Sequence, residues 1–356
     1  MSEEYGLKIL IHMNHRWLLL FVSVIFSVIN CAFAEEYTQI SLGGFSPDGK
    51  KLLLSYCTNK PVCRFGTFDL RNKVFLEIVP RDPDQVWTPG GFSPDGSQVA
   101  ISVLRNSDNG RFAQIGILHL DTKKLKELSK SPSQKTAPSF SHDGRKIIFA
   151  QSNRQRESGK TRFSNWDIYE IGIDDKNERR LTAFRFFAIT PPAYLPDDRR
   201  FIFAGEAPSD YVSPLGDTGY KAYAAQFHEN EIFVLAPTSE QILAPVITNG
   251  DMSSHPAISA DGARIVYVAR TDKQDGVKTR FTYDLFLFDG KEHRRLTRMN
   301  GVIRKITLSP DGDTVAFVRQ GHESFTTRDL NLLDVRTNRL ELLDPAQLGI
   351  AQVIRP

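Results

Sequence analysis

Phe45-Ser46-Pro47-Asp48-Gly49 is the stretch on which the fold turns, because the chain repeats it. It recurs as Phe92-Ser-Pro-Asp-Gly96, Phe140-Ser-His-Asp-Gly144, Tyr194-Leu-Pro-Asp-Asp198, Ile258-Ser-Ala-Asp-Gly262 and Leu308-Ser-Pro-Asp-Gly312. The repeated aspartates at 48, 95, 143, 197, 261 and 311 are spaced by 47, 48, 54, 64 and 50 residues. A period of this size marks a repeat architecture. Each residue of the motif has a turn role. Ser bonds local backbone, Pro presets φ, and Gly accepts a left-handed conformation without steric cost. Such a turn closes a tight hairpin. The fourth copy puts Asp198 where the others have Gly, and Asp tolerates left-handed geometry.

Working outward, an apolar strand follows each turn, as in Leu52-Leu-Leu-Ser-Tyr56, Val99-Ala-Ile-Ser-Val103 and Phe201-Ile-Phe-Ala204. A polar loop leads to a third strand, such as Ile115-Gly-Ile-Leu-His-Leu120 or Asp284-Leu-Phe-Leu-Phe288. A weaker, more polar fourth strand closes the unit, as in Arg180-Leu-Thr182 and Arg295-Leu-Thr297. The alternation and the β-branched and aromatic residues are strand signals, and no long helical pattern follows residue 35. Six units of four strands predict an all-β chain, a six-bladed β-propeller of four-stranded antiparallel blades spanning 35–345, with a tail at 346–356. Polar fourth strands suit the outer edge of a blade, where charge discourages pairing with other chains.

The run from Ala137-Pro-Ser-Phe-Ser-His-Asp-Gly144 to Arg180-Leu-Thr182 resembles the TolB-like propeller repeats, and the resemblance extends over nearly all of the chain after residue 35. It implies a six-bladed propeller. It covers the propeller alone: TolB carries an α/β domain ahead of its own, for which the segment between residue 35 and the first repeat leaves no place. The resemblance therefore carries the scaffold and not the Tol–Pal role.

Residues 1–34 are expected to be a signal peptide. His15-Arg16 precedes the apolar run from Trp17 to Ile29, Ala32-Phe33-Ala34 offers a small-x-small cleavage site, and Met13 is an alternative start. The apolar run is short for a membrane span. Lipidation of Cys31 is the competing reading, and Asn30 before it argues against that. Removing 1–34 takes away Lys8 and Arg16 with Glu3 and Glu4, so the formal charge stays at +3. That is too mild to argue for nucleic acid. The expected product is periplasmic or secreted, monomeric, and free of a stable membrane span after cleavage. In that compartment Cys57 and Cys63, flanking the loop Thr58–Val62 of blade 1, should form a disulfide.

The Asp-Gly turns are expected on one face, and the long insertions Ser152–Asn165, Glu206–Asn230, Thr271–Thr282 and Gln320–Arg328 on the other. Loops held by a rigid scaffold are where function concentrates. Arg-Phe recurs just before the third strand, at Arg64-Phe65, Arg111-Phe112, Arg162-Phe163 and Arg280-Phe281. One reading makes each Phe core and each Arg a local ion pair; the sharper alternative is a ring of guanidinium groups suited to an acidic peptide or a carboxylated sugar. Tyr211, Tyr220 and Tyr223 give the largest insertion the character of a binding loop.

Enzyme signatures are sparse. The chain has no Gly-x-Ser-x-Gly elbow, His-Glu-x-x-His, EF-hand loop or phosphate loop. His228, His255 and His322 are the histidines placed to converge, and His255 precedes an inner strand near the channel. Some propellers resembling these repeats are sugar lyases with a histidine-held metal at the channel. No metal or cofactor is expected here. The leading expectation is a non-enzymatic propeller binding a protein or peptide; the alternative is a lyase-type carbohydrate-active enzyme at the channel mouth.

Overall fold

The computed structural model describes residues 39–57, 63–78, 86–107, 110–157, 160–206, 231–237, 243, 245–247, 252–272, 275–276, 282–299, 301–320 and 328–343. The signal segment and the 346–356 tail lie outside them. The described residues contain no helix; their strands form six antiparallel sheets, one for each repeat. Blade 1 runs Gln39–Phe45, Lys51–Cys57, Cys63–Asp69, Val74–Glu77, and its four strands pair in chain order. Blades 2, 3, 5 and 6 repeat that order, beginning at Val86, Gln134, Ser253 and Val302. The predicted six-bladed propeller is therefore what the chain forms. Every blade is built from one contiguous stretch, and among the described residues no strand is shared between the first and last blades.

Blade 4 departs locally. Its innermost strand is broken into Ala188–Ile189 and Ala193–Tyr194 by Thr190-Pro191-Pro192. Proline has no N–H for a ladder. Thr190 fills part of the gap: its backbone N–H donates to the Ala204 carbonyl at 2.7 Å, and its hydroxyl accepts the Ala204 N–H at 2.9 Å.

The core is divided among the junctions. Each of six apolar clusters joins one blade to the next. Leu53, Phe65 and Ile78 of blade 1 meet Val99, Ile101, Val103 and Leu118 of blade 2. At the ring closure, Ile40, Leu42, Leu52, Leu54 and Phe68 pack on Ala316, Val318, Leu330 and Leu332. Lys73 of blade 1 also pairs with Glu341 of blade 6 at 2.7 Å.

The turns fold as their residues dictate. In blade 1 the Ser46 hydroxyl donates to Asp48 Oδ1 at 2.6 Å and accepts the Lys51 N–H at 2.9 Å. Blades 2, 3, 5 and 6 repeat this relay through Ser93, Ser141, Ser259 and Ser309. Gly49, Gly96, Gly144, Gly262 and Gly312 hold φ between 70° and 75°, and Asp198 holds φ 49°.

The departures from the motif turn out to be complementary. Blade 3 has His142 in place of Pro, so that residue keeps its N–H, and it donates to Asp198 Oδ1 of blade 4 at 2.7 Å. The Asp143 N–H reaches Asp198 Oδ2 at 2.8 Å. The missing Pro of one turn and the missing Gly of the next thus meet in one inter-blade contact. Likewise Ala260, in the Pro place of blade 5, donates its N–H to the Pro310 carbonyl of blade 6 at 3.0 Å.

One expected insertion is instead strand. Lys146–Glu157 and Lys160–Gly172 of blade 3 stay paired out to Glu157↔Lys160, so Ser152–Asn165 is largely a hairpin extension. The run Asn153-Arg-Gln-Arg-Glu157 is polar on both faces and lacks the apolar alternation that marks a strand in sequence.

Candidate functional site

Two places bear on function: the strand ends beneath the long loops, and the central channel.

At the strand ends, a buried polar knot explains the Arg-Leu-Thr motif. In blade 5, Asp284, fully buried, accepts Arg295 Nη2 at 2.6 Å, the Thr297 hydroxyl at 2.7 Å and the Met299 N–H at 2.7 Å. Blade 3 repeats it through Asp167, which accepts Arg180 Nη2 at 2.5 Å, the Thr182 hydroxyl at 2.8 Å and the Phe184 N–H at 2.9 Å. Burial pushes the Asp167 carboxyl upward, against the pull of Thr182 and Arg180. The knot fastens the outer strand and the connection to the next blade onto the third strand.

Blade 2 rebuilds the knot without the Arg–Asp pair. Gln114 takes the Asp place and accepts the Ser129 hydroxyl at 2.6 Å. The charge comes from the fully buried Lys135, whose ammonium donates to Ser131 and Ser133 oxygens at 2.7–2.9 Å. Burial lowers Lys135 to about 8, opposed by Glu178. Blade 1 reverses the pair. Ile78 N–H donates to the Phe65 carbonyl as Leu181 N–H does to Ile168, so Arg64 stands at the Asp167 place and Glu77 at the Arg180 place. Arg64 and Glu77 pair at 3.5 Å.

This bears on the four Arg-Phe pairs. Arg64 lies opposite Tyr56, one pair from the end of its hairpin at the Cys57–Cys63 disulfide (Cα–Cα 4.1 Å). Arg111 lies opposite Asn106 and Arg162 opposite Gln155, both on hairpin extensions. Arg111 stands three residues before Gln114 and Arg162 five before Asp167, so these three arginines occupy different levels of their blades. Phe65 is core, packed edge-on to Trp87 at 5.9 Å. Arg280, Tyr211, Tyr220 and Tyr223 lie outside the described residues, as do His228 and His322.

The second place, around His255, is the channel wall. The inner strands align on their turns, and the place occupied by Leu42 in blade 1 is held in turn by Pro89, Ala137, Pro191, His255 and Lys305. The register of five inner strands breaks at or beside this place; Ala137 and His255 take φ of 56° and 51° at it. The next place is Gly43, Gly90, Pro138, Pro192, Pro256 and Ile306. The two glycines let the strands close in: a Cβ on Gly90 would lie 2.2 Å from the Pro138 carbonyl oxygen. All six blades line a cavity of about 260 Å³ in the half of the channel nearer the Asp-Gly turns.

Lys305 and His255, on neighbouring blades, are the titratable side chains of that lining. Burial lowers His255 to about 4, helped by the charges of Lys305 and Arg304. Its Nδ1 lies 3.1 Å from the Ser254 hydroxyl, and its ring also bonds the Arg304 backbone. Burial alone lowers Lys305 to about 8. The sequence placed His255 at the channel but gave no notice of Lys305; aligning the inner strands on their turns is the signal that finds it. Among the described residues, no three His, Cys, Asp or Glu side chains come together as a metal group would require.

Neither a family model nor a curated protein matches the sequence. Solved structures do match the fold. TolB from Acinetobacter baumannii superposes with a TM-score of 0.56 at 17% identity, over 85% of this chain and 63% of that one. An oligogalacturonate lyase in complex with manganese gives 0.54 at 16%, over 86% and 78%. The β-propeller domain of the Trilobed protease from Pyrococcus furiosus, described as having an open velcro topology, gives 0.50 at 14%, over 87% and 98%. The chain thus spans less than two thirds of the length of that TolB, and neighbours with differing activities share one architecture with it: a six-bladed β-propeller of the kind found in TolB.

Proposed function

We propose that this chain is an exported, non-enzymatic propeller that binds a protein or peptide partner through its long-loop face. The observation that carries this reading is the asymmetry of the two faces. On one, the turns are short, alike and tied to each other by contacts such as Asp198 to the His142 and Asp143 amides. The strand ends direct the connection 207–230 of blade 4 and the extended hairpins of blades 2 and 3 to the other. Buried knots at Asp167 and Asp284 anchor the base of that face, giving the loops a stiff platform. Arg111 and Arg162 on the extensions suit an acidic partner. The Cys57–Cys63 disulfide and the sequence of residues 13–34 support export to the periplasm or beyond.

His255 in the channel wall favours a second reading, a lyase-type carbohydrate-active enzyme. One experiment separates them. The mature protein, and a variant with Glu206–Asn230 replaced by a two-residue turn, are used as bait on envelope extract, and metal is measured on both. A partner captured by the first and lost by the second, with equal stability, supports binding. Stoichiometric metal lost on His255→Ala supports the enzyme and overturns the binding reading.

A further inference from the structure

The channel cavity has a charge without a counter-charge. Among the described residues, its walls contain no Asp or Glu. Lys305 lines it from blade 6, and among the described residues its side chain has no ion pair. Three other buried cations among the described residues do have oxygen partners: Arg295 has Asp275 and Asp284, Arg270 has Asp272, and Lys135 has serine oxygens. Lys305 is half-buried, and an ammonium at the wall of a cavity of this size with no carboxylate beside it is a place for an anion. The inner strands are also sheet edges, and such edges present unpaired N–H groups.

The charge count narrows the anion. Near neutral pH Lys305 carries its proton and His255 does not, so the cavity holds one positive charge. A single negative charge matches it; a phosphate ester, at about −1.5 to −2, does not. The volume, about 260 Å³, is below that of drug-sized ligand sites, which start at about 300 Å³.

We propose that the turn-side half of the central channel is a binding site for one carboxylate group, anchored by the Lys305 ammonium within the wall formed by His255 and Thr307. Two sources present this group, a small free organic acid and the C-terminus of a peptide chain. The site does not depend on the long-loop face having a partner.

The probe is sodium acetate, against sodium chloride and sodium phosphate at matched ionic strength, with melting temperature and calorimetry as readouts on the mature protein. Acetate should stabilise the protein where chloride and phosphate do not. Lys305→Met should weaken acetate binding by at least about tenfold, the expected size for losing a hydrogen bond to a charged group. Lys73→Met, at the ring closure, should leave it unchanged. Thr307→Asp supplies the anion from the wall itself and should abolish the acetate response, so the test survives if Lys305→Met does not fold. A short peptide with a free C-terminus binding more tightly than acetate, and its amidated form not binding, assigns the peptide source; acetate binding with no response to either peptide assigns the free acid. No acetate-specific stabilisation, phosphate binding as well as acetate, or acetate binding within twofold of wild type in Lys305→Met overturns the proposal.

Discussion

Removing the Asp284 carboxylate tests whether the knots at the strand ends hold the blades together. In Asp284→Ala, the Thr297 hydroxyl and the Met299 N–H lose an acceptor at 2.7 Å each, in a site where Asp284 is fully buried. Arg295 loses one partner but keeps Asp275, which it holds through two nitrogens at 2.9 and 2.5 Å. Breaking a buried pair from one side costs about 3–5 kcal/mol; because Arg295 keeps a second carboxylate, the lower end, about 3 kcal/mol, is expected. The equivalent pair in blade 1 provides the control. Arg64 and Glu77 lie 3.5 Å apart with side chains 22% and 32% exposed, so Glu77→Ala should cost about 1 kcal/mol or less. Urea unfolding followed by tryptophan fluorescence measures both, with Trp87 and Trp166 as reporters in blades 2 and 3. If Asp284→Ala costs less than about 1 kcal/mol, or Glu77→Ala costs as much as Asp284→Ala, the knots are not what fastens the outer strands and the reasoning fails.

Gly90→Ala should destabilise by about 2–3 kcal/mol, because its Cβ would meet two backbone oxygens, of Pro138 at 2.2 Å and of Ala100 at 2.7 Å, that cannot swing away. Gly44→Ala, whose nearest contact would be the Gly91 Cα at 3.5 Å, should stay within about 0.5 kcal/mol in the same urea assay. Acid should destabilise the protein in two windows. His255 is lowered from 6.5 to about 4, so the unfolded chain takes its proton first and stability falls as pH drops between those values. Asp95 is lowered from 3.8 to about 2 by the Ser93 hydroxyl and the Ser97 amide, so its contribution is present above the unfolded value and lost as pH falls toward 2. His255→Gln should flatten the first window and Asp95→Asn the second; unchanged pH slopes would refute the assignments.

Blade number and phase were legible because the turns are governed by local chemistry: Ser, Pro, Asp and Gly act within five residues of one another. The knots were half legible. Arg-Leu-Thr is visible in blades 3 and 5, but its partner lies thirteen residues upstream in Asp167 and eleven in Asp284, and blades 1 and 2 meet the same need with Arg64–Glu77 and with Gln114 and Lys135. A need met by three different chemistries leaves no common string. The Arg-Phe dipeptide shows the converse, since a shared string at Arg64, Arg111 and Arg162 falls at three different levels of the blades. Lys305 was hidden because the channel wall takes a few residues from every repeat, and only the ring brings His255 beside it.

The junction between blades 6 and 1 differs from the other five in one respect. Those five also carry a peptide link from blade to blade, whereas among the described residues this one rests on side-chain packing around Ile40, Leu42, Ala316 and Leu330, with Lys73–Glu341 at its rim. Mechanically the described ring, Gln39 to Leu343, is a split washer. Tension applied between Gln39 and Leu343 would open it at the slit first, and each further blade would peel away as a unit. The slit is also movable: joining residues 343 and 39 by a linker and cutting between any other two blades would leave every sheet intact, so a permuted chain should fold to the same ring with its weak point relocated.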